Sequence, residues 1–367
     1  MPSPRWRRAL SAAGEAVWPP AAALGLSFAI GAAIVAAIDE NPLRVLPLIF
    51  APGLGSADGF ARVLFDATPL ILTGLSVAYA FRAGLFNIGG EGQLYAGAFL
   101  AAWTALALPG LPRPVALPLA VLAAAAGGAL WGAIPGWLKA RFGVHEVINT
   151  IMMNFLAVGL TGWLLERFLQ EPGQMIPHTP EIPAAYQLQP FAQGPGGAWL
   201  GLDRANPLGA SLLVALAAAV AVGLVFRRGV EGYRLRAVGL SPAAARYGGI
   251  GVGGVTVRAM AVSGALAGLV GVHEVLLYRH RFLDNFSSGL GFLGIAVALM
   301  GKNHPLGIVL AALLFGFLNT GALEIDIFTQ VPRELVVVLQ ALIILLVVSF
   351  GELALWRRRR RRREEAA

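Results

Sequence analysis

The sequence contains no cysteine, which excludes disulfides, iron–sulfur clusters and thiolate chemistry of every kind. Charge is scarce as well: Asp, Glu, Lys and Arg make up 13% of the 367 residues, about half their share in an ordinary soluble domain. Histidine occurs five times, at 145, 178, 273, 280 and 304. His145-Glu146 and His273-Glu274 each open a zinc-type H-E-x-x-H pattern, but the closing position holds Asn149 or Leu277, so no metal site and no cofactor is expected. No serine lies in G-x-S-x-G, which removes the simplest hydrolase. Gly301-Lys302-Asn303 lacks the Ser or Thr of a phosphate loop, and the G-x-G-x-x-G match at 249–254 follows a basic loop where a dinucleotide fingerprint needs a buried strand. Catalysis has no visible carrier, and the chain is not expected to be an enzyme.

What the sequence has in abundance is apolar residues, 57% of the chain, with a mean hydropathy of +0.70. That excludes disorder, and the 46 glycines follow no triplet period, which excludes collagen. A helix needs about 20 apolar residues to cross about 30 Å of hydrocarbon. The expected fold is therefore all-α, a polytopic transmembrane helical bundle of about 8–10 spans forming a single domain over the whole chain. Candidate segments lie near 19–38, 60–79, 91–108, 114–138, 145–165, 207–226, 253–277, 289–300, 305–323 and 331–350. The eighth is too short to cross as an ordinary helix and reads as a re-entrant half-helix. The basic start runs into the first apolar stretch without a processing site, so that span is expected to be retained.

The net charge of +8 points to a membrane surface rather than a nucleic acid polymer, because of where the charge lies. Arg5, Arg7 and Arg8 precede the first span, and an unbroken arginine run at 357–363 follows the last. Arg227, Arg228, Arg234, Arg236 and Arg246 face one acid, Glu231, in an internal loop. The positive-inside rule then places both termini, the basic tail at 351–367 and the loop at 229–250 in the cytoplasm, and the polar stretch at 166–206 outside. The same parity puts Arg279 and Arg281 outside, against that rule.

Polar side chains inside apolar surroundings carry the remaining chemistry. Asn87, Glu91 and Gln93 cluster at a glycine-rich break, while Glu146, Asn149 and Asn154 recur at helical spacing. They either line a substrate path or serve structure, Glu91 capping the helix that starts there and Asn154 bonding a neighbouring helix. Gly264 and Gly268, with the small residues of 123–133, permit close helix packing.

Four segments resemble a known family. FRAGLFNIGGEGQL at 81–94, VHEVINTIMMNF at 144–155, RAVGLSPAAARYGGI at 236–250 and GLGFLGIAVALMG at 289–301 are similar, in order, to permeases of ABC importers of the ribose and branched-chain amino-acid superfamily, nucleoside or simple-sugar branch. The resemblance implies an inner-membrane transport subunit that pairs with itself or with a second related permease. It also implies a cytoplasmic ATPase with two nucleotide-binding domains and an extracytoplasmic substrate-binding lipoprotein. A small polar solute, a nucleoside or a ribose-like sugar, would pass Asn87, Glu91, Gln93, Asn149 and Asn154. The cytoplasmic loop would meet the ATPase through a short helix near Arg236, Gly239, Ala244, Arg246 and Gly248. An ion-coupled secondary transporter and a structural membrane subunit are the alternatives in other classes.

Overall fold

The computed structural model describes residues 5–194, 197 and 201–364. Parts of the expected external loop (195–196, 198–200) and basic tail (365–367) lie outside the described residues, as do residues 1–4 and the side chains of 357–363. The described chain is helical, without a β-sheet, and divides into two compact units, Met1–Gly59 with Phe317–Ala367, and Phe60–Gly316.

Each of the ten predicted segments is a helix. They are α1 (Arg5–Ala37), α4 (Ala57–Arg82), α5 (Gly90–Ala107), α6 (Arg113–Phe142), α7 (Glu146–Leu164), α8 (Ser211–Arg228), α11 (Val252–Gly268), α12 (Leu290–Met300), α13 (Pro305–Phe328) and α14 (Glu334–Glu364). Short helices fill the connections: α2 (Pro42–Leu48), α3 (Ala51–Gly55), α9 (Val230–Leu240) and α10 (Pro242–Tyr247). Seven stretches are long and apolar enough to cross a bilayer: Ala57–Arg82, Arg113–Phe142, Glu146–Leu169, Ser211–Arg228, Val252–Arg279, Pro305–Phe328 and Glu334–Gly351. The protein is a multi-pass membrane protein. Several boundaries differ from expectation: α1 begins at Arg5, α13 runs on to Phe328, α14 runs to Glu364, and α11 stops at Gly268 with a π-helical stretch over Val272–Arg279 beyond it. Lys139 and Arg141 belong to the last turn of α6, which ends at Gly143 with φ +71°. α7 continues as a π-helical turn to Leu169, because an apolar run does not mark where one helical pitch gives way to another.

In the first unit α1 lies along α14 so closely that a Cβ on Gly31 would meet Leu339 Cδ2 at 2.4 Å. Asn41 caps α2 by accepting from Leu43 N at 2.9 Å, and buried Gln340 donates to Asn319 at 2.8 Å.

In the second unit glycines set the packing. A Cβ on Gly128 would stand 2.1 Å from Gly264 O, and one on Gly97 2.4 Å from Gly268 Cα. The backbones of α5, α6 and α11 therefore touch, as the small-residue pattern at 264–268 and 123–133 predicts.

Two ends of this unit follow from its contacts. At one end Tyr186 donates to Leu108 O at 2.8 Å, Thr179 N to Phe282 O at 2.9 Å and Ile182 N to His280 O at 2.8 Å. The loop after α7 thus lies on the segment holding Arg279 and Arg281, and Arg281 approaches Glu171 and Glu181 at 3.9 and 4.0 Å. The two arginines that strained the charge rule share a face with the polar loop and are offset by acids. At the other end, Arg82 stacks on Phe226 and Gly253 meets Ala140, a Cβ on the glycine lying 3.6 Å from that of the alanine.

Candidate functional site

The glycine-rich break is a fold-back. Gly84 takes φ +70°, a conformation that glycine adopts without steric penalty, and the chain after Arg82 turns back beside α4. Asn87 then holds the break from inside. Its Nδ2 donates to Gln93 Oε1 at 2.9 Å and to Ser263 Oγ at 2.8 Å, while its Oδ1 accepts from Gly89 N at 2.9 Å. Ser263 donates onward to Ser76 O at 2.7 Å. Asn87, Gln93, Ser76 and Ser263 are all at most 1% exposed, so every group must find its partner within the protein.

Asn154 anchors the same break from α7. Its Oδ1 accepts from Gly92 N at 2.8 Å and its Nδ2 donates to Ile88 O at 2.9 Å, satisfying two main-chain groups that an interrupted helix leaves free. Thr150, one turn earlier, receives Ile88 N at 3.3 Å. Asn149 does not join this network: its Nδ2 is buried and has no hydrogen-bond partner among the described residues. Glu146 turns to the helix end, where it pairs with Lys139 at 2.5 Å.

Glu91 caps a helix other than its own. Its Oε2 accepts from Gly291 N at 2.7 Å, at the start of α12. The two helix beginnings abut, since a Cβ on Gly291 would sit 2.2 Å from Glu91 N. Two helix N-termini, each carrying about half a positive charge, thus converge on one buried carboxylate. The meeting lies at mid-depth. The 11 residues of α12 span about 16 Å at 1.5 Å each, half of a hydrocarbon core about 30 Å thick. At its far end α12 leads to His304, which lies 3.5 Å from Arg227 at the basic end. Ser263 gives the same depth, eleven residues or about 16 Å into α11. The chain reaches α12 by re-entering from the opposite end through 280–289, where Phe282 and Phe286 pack on Tyr95 and Phe99 of α5 with ring centroids 4.7–6.4 Å apart. The predicted half-helix is α12.

The second group of predicted residues lies at the basic end. Ala244, Arg246 and Gly248 are exposed on or beside α10, whose Ser241 cap accepts from Ala244 N at 3.2 Å. Leu240 and Tyr247 are 87% and 96% exposed there. Arg236, half-buried, and Gly239, exposed on its other side, also meet this chain: Arg236 Nη1 donates to Phe226 O, and the missing Cβ of Gly239 points at Arg82 O, 2.5 Å away.

The model of the branched-chain amino acid transport system / permease component family matches residues 59–348, the stretch holding the break, the half-helix and the basic loops. The chain belongs to this permease family. It is 40% identical to the guanosine ABC transporter permease protein NupP of Bacillus subtilis, over 90% of this chain and 92% of that one. The nucleoside ABC transporter permease protein NupB of Lactococcus lactis is 37% identical, over 89% and 88%. The glucose ABC transporter permease protein TsgB13 of Haloferax volcanii is 36% identical, over 88% and 84%. No solved structure matches.

This ABC permease therefore builds its core around polar residues that the sequence marks, and around others that it does not. Ser76, Ser263 and Gly291 gave no polar or chemical signal of their own. Ser263 sits beside the small-residue pattern and reads as packing, and Gly291 lies 200 residues from the carboxylate it meets.

Proposed function

We propose that the chain is one permease subunit of an ATP-driven importer in a bacterial inner membrane, with both termini cytoplasmic, and that its substrate is a nucleoside. The observation that carries the substrate is identity of 37–40% over about nine-tenths of the chain to permeases named for guanosine and nucleosides. A second permease, related or identical, completes the path. A cytoplasmic ATPase with two nucleotide-binding domains supplies the energy, and an extracytoplasmic binding lipoprotein delivers the solute. ATP hydrolysis is assigned to that partner chain.

The geometry supports a division of labour among the predicted path residues. Asn87, Gln93 and Asn154 spend their amides on the break and Glu91 spends its carboxylate on α12, so these four shape the path from behind. Asn149, with an unspent amide, is the one suited to a ligand hydroxyl or base edge. Ala244, Arg246 and Gly248, flanked by exposed Leu240 and Tyr247, form the ATPase contact, and Arg236 and Gly239 support it from within. A sugar is the second reading, because of the Haloferax glucose relative. Uptake of labelled guanosine by cells lacking their own nucleoside import, expressing this chain with its partners, decides between them. Competition by unlabelled nucleosides and indifference to ribose and glucose is the expected pattern; the reverse pattern makes the chain a sugar permease.

A further inference from the structure

Gly239 and Gly84 belong to different parts of the functional reading, the basic loop and the intramembrane break, yet their backbones touch. A Cβ on Gly84 would lie 3.2 Å from Gly239 Cα, and a Cβ on Gly239 would lie 3.0 Å from Gly84 N. No side chain separates them, so displacement of one main chain bears directly on the other. A clamp flanks the contact on both sides. The Arg82 guanidinium stacks on Phe226 at 4.6 Å, the Phe226 ring packs on Tyr79 at 5.8 Å, and the Phe226 carbonyl accepts from Arg236, three residues before Gly239. Beyond Gly84 the chain is tied without slack: three residues later Asn87 binds Gln93 and Ser263, and Glu91 then holds Gly291 of α12.

We propose that the Gly84–Gly239 contact is the joint through which movement of α9 and α10 reaches the broken helix. Gly84, Gly239 and Phe226 are positioning residues: they touch no substrate and act through Asn87 and Glu91. The inference rests on the reading of α10 as the ATPase contact. A joint of this kind needs glycine on both sides, because a methyl group at either position wedges the two backbones apart. Phe226 keeps the pair aligned by holding Arg82 on its ring and Arg236 on its carbonyl.

The chain has no cysteine, so one introduced thiol reports on one place. In the assembled, reconstituted importer, a photo-crosslinking residue at Tyr247 reads contact with the ATPase. In a second preparation Ile148→Cys, 63% exposed and two residues before Thr150, which accepts from Ile88 N at the break, reads movement of the break by its rate of thiol modification with and without ATP. The expected wild-type result is a crosslink at 247 and a change of at least threefold in the rate at 148. Gly239→Ala should keep the crosslink and lose the change at 148. A crosslink kept together with a normal change at 148 overturns the joint alone. A wild-type complex that never crosslinks at 247 overturns the reading of α10 and the joint with it. Should Gly239→Ala fail to assemble, Phe226→Leu tests the same joint without overpacking, and a normal change at 148 in that variant overturns it.

Discussion

Glu91 is buried between two helix beginnings, and its substitutions separate charge from hydrogen bonding. Glu91→Gln keeps an acceptor for Gly291 N but removes the charge that offsets two helix dipoles, which costs roughly 1–2 kcal/mol. Glu91→Ala also leaves that N–H without a partner, a further cost of about 1–3 kcal/mol. Thermal unfolding in nanodiscs should rank wild type above Gln and Gln above Ala; an unchanged midpoint in Glu91→Ala removes Glu91 as the cap of α12. Asn154 and Asn149, on one helix, should behave oppositely. Asn154→Ala strips partners from Gly92 N and Ile88 O and should destabilise by about 2–4 kcal/mol. Asn149→Ala loses no side-chain bond to the described residues, so its melting should stay within ~0.5 kcal/mol of wild type while uptake falls severalfold. Normal uptake in Asn149→Ala takes this residue off the path. The sequence marked these asparagines as polar groups in apolar surroundings. It did not tell which amide is spent, because that depends on main-chain groups 62 and 66 residues away.

Among the elements, α5, α6 and α11 depend on glycine more than on any large side chain. Gly128→Leu drives atoms into Gly264 O, which a Cβ alone would approach to 2.1 Å, and it should destabilise beyond the ~3 kcal/mol of ordinary overpacking. Little folded protein should be recovered; normal yield and melting would falsify the packing account. The segment around His280 offers a pH test. Burial holds the His280 imidazole below its usual pKa, and its carbonyl receives Ile182 N. The neutral ring's contribution is complete above about pH 6.5 and is lost as pH falls toward the lowered folded-state value. Protection factors of the amides at 178–188, which remove the intrinsic pH dependence of exchange, should therefore fall between pH 7.5 and 5 in wild type and less so in His280→Gln; an equal fall in both assigns the effect elsewhere. Apolar length and proline placement made all ten main helices legible in the sequence, including the half-helix, whose 12-residue run fits nothing longer. The pairing of α12 with α5 was not legible, since a Gly–Gly backbone contact between distant segments leaves no periodic trace. The two short helices at 230–247 were readable only in part: Pro242 and the alanines after it signal α10, whereas α9 is nearly as polar as a loop.

For the molecule as a whole, the arrangement is a bundle interrupted at mid-depth. At the basic end Leu240 and Tyr247 are exposed, on the surface proposed above as the ATPase contact. The amides of Asn87, Gln93 and Asn154 are spent on structure and the carboxylates of Glu91 and Glu146 are engaged by Gly291 N and Lys139, which favours the ATP-driven reading proposed above over an ion site at the broken helix. The proposed function requires energy to enter through a second chain. Reconstitution of this permease in proteoliposomes with its partner permease, its ATPase and its binding protein tests that most directly. The expected result is concentrative nucleoside uptake that requires ATP inside the ATPase-facing compartment, disappears with an ATPase unable to hydrolyse ATP, and is indifferent to proton and sodium ionophores. Uptake that persists without ATP and collapses with the ion gradient would contradict it.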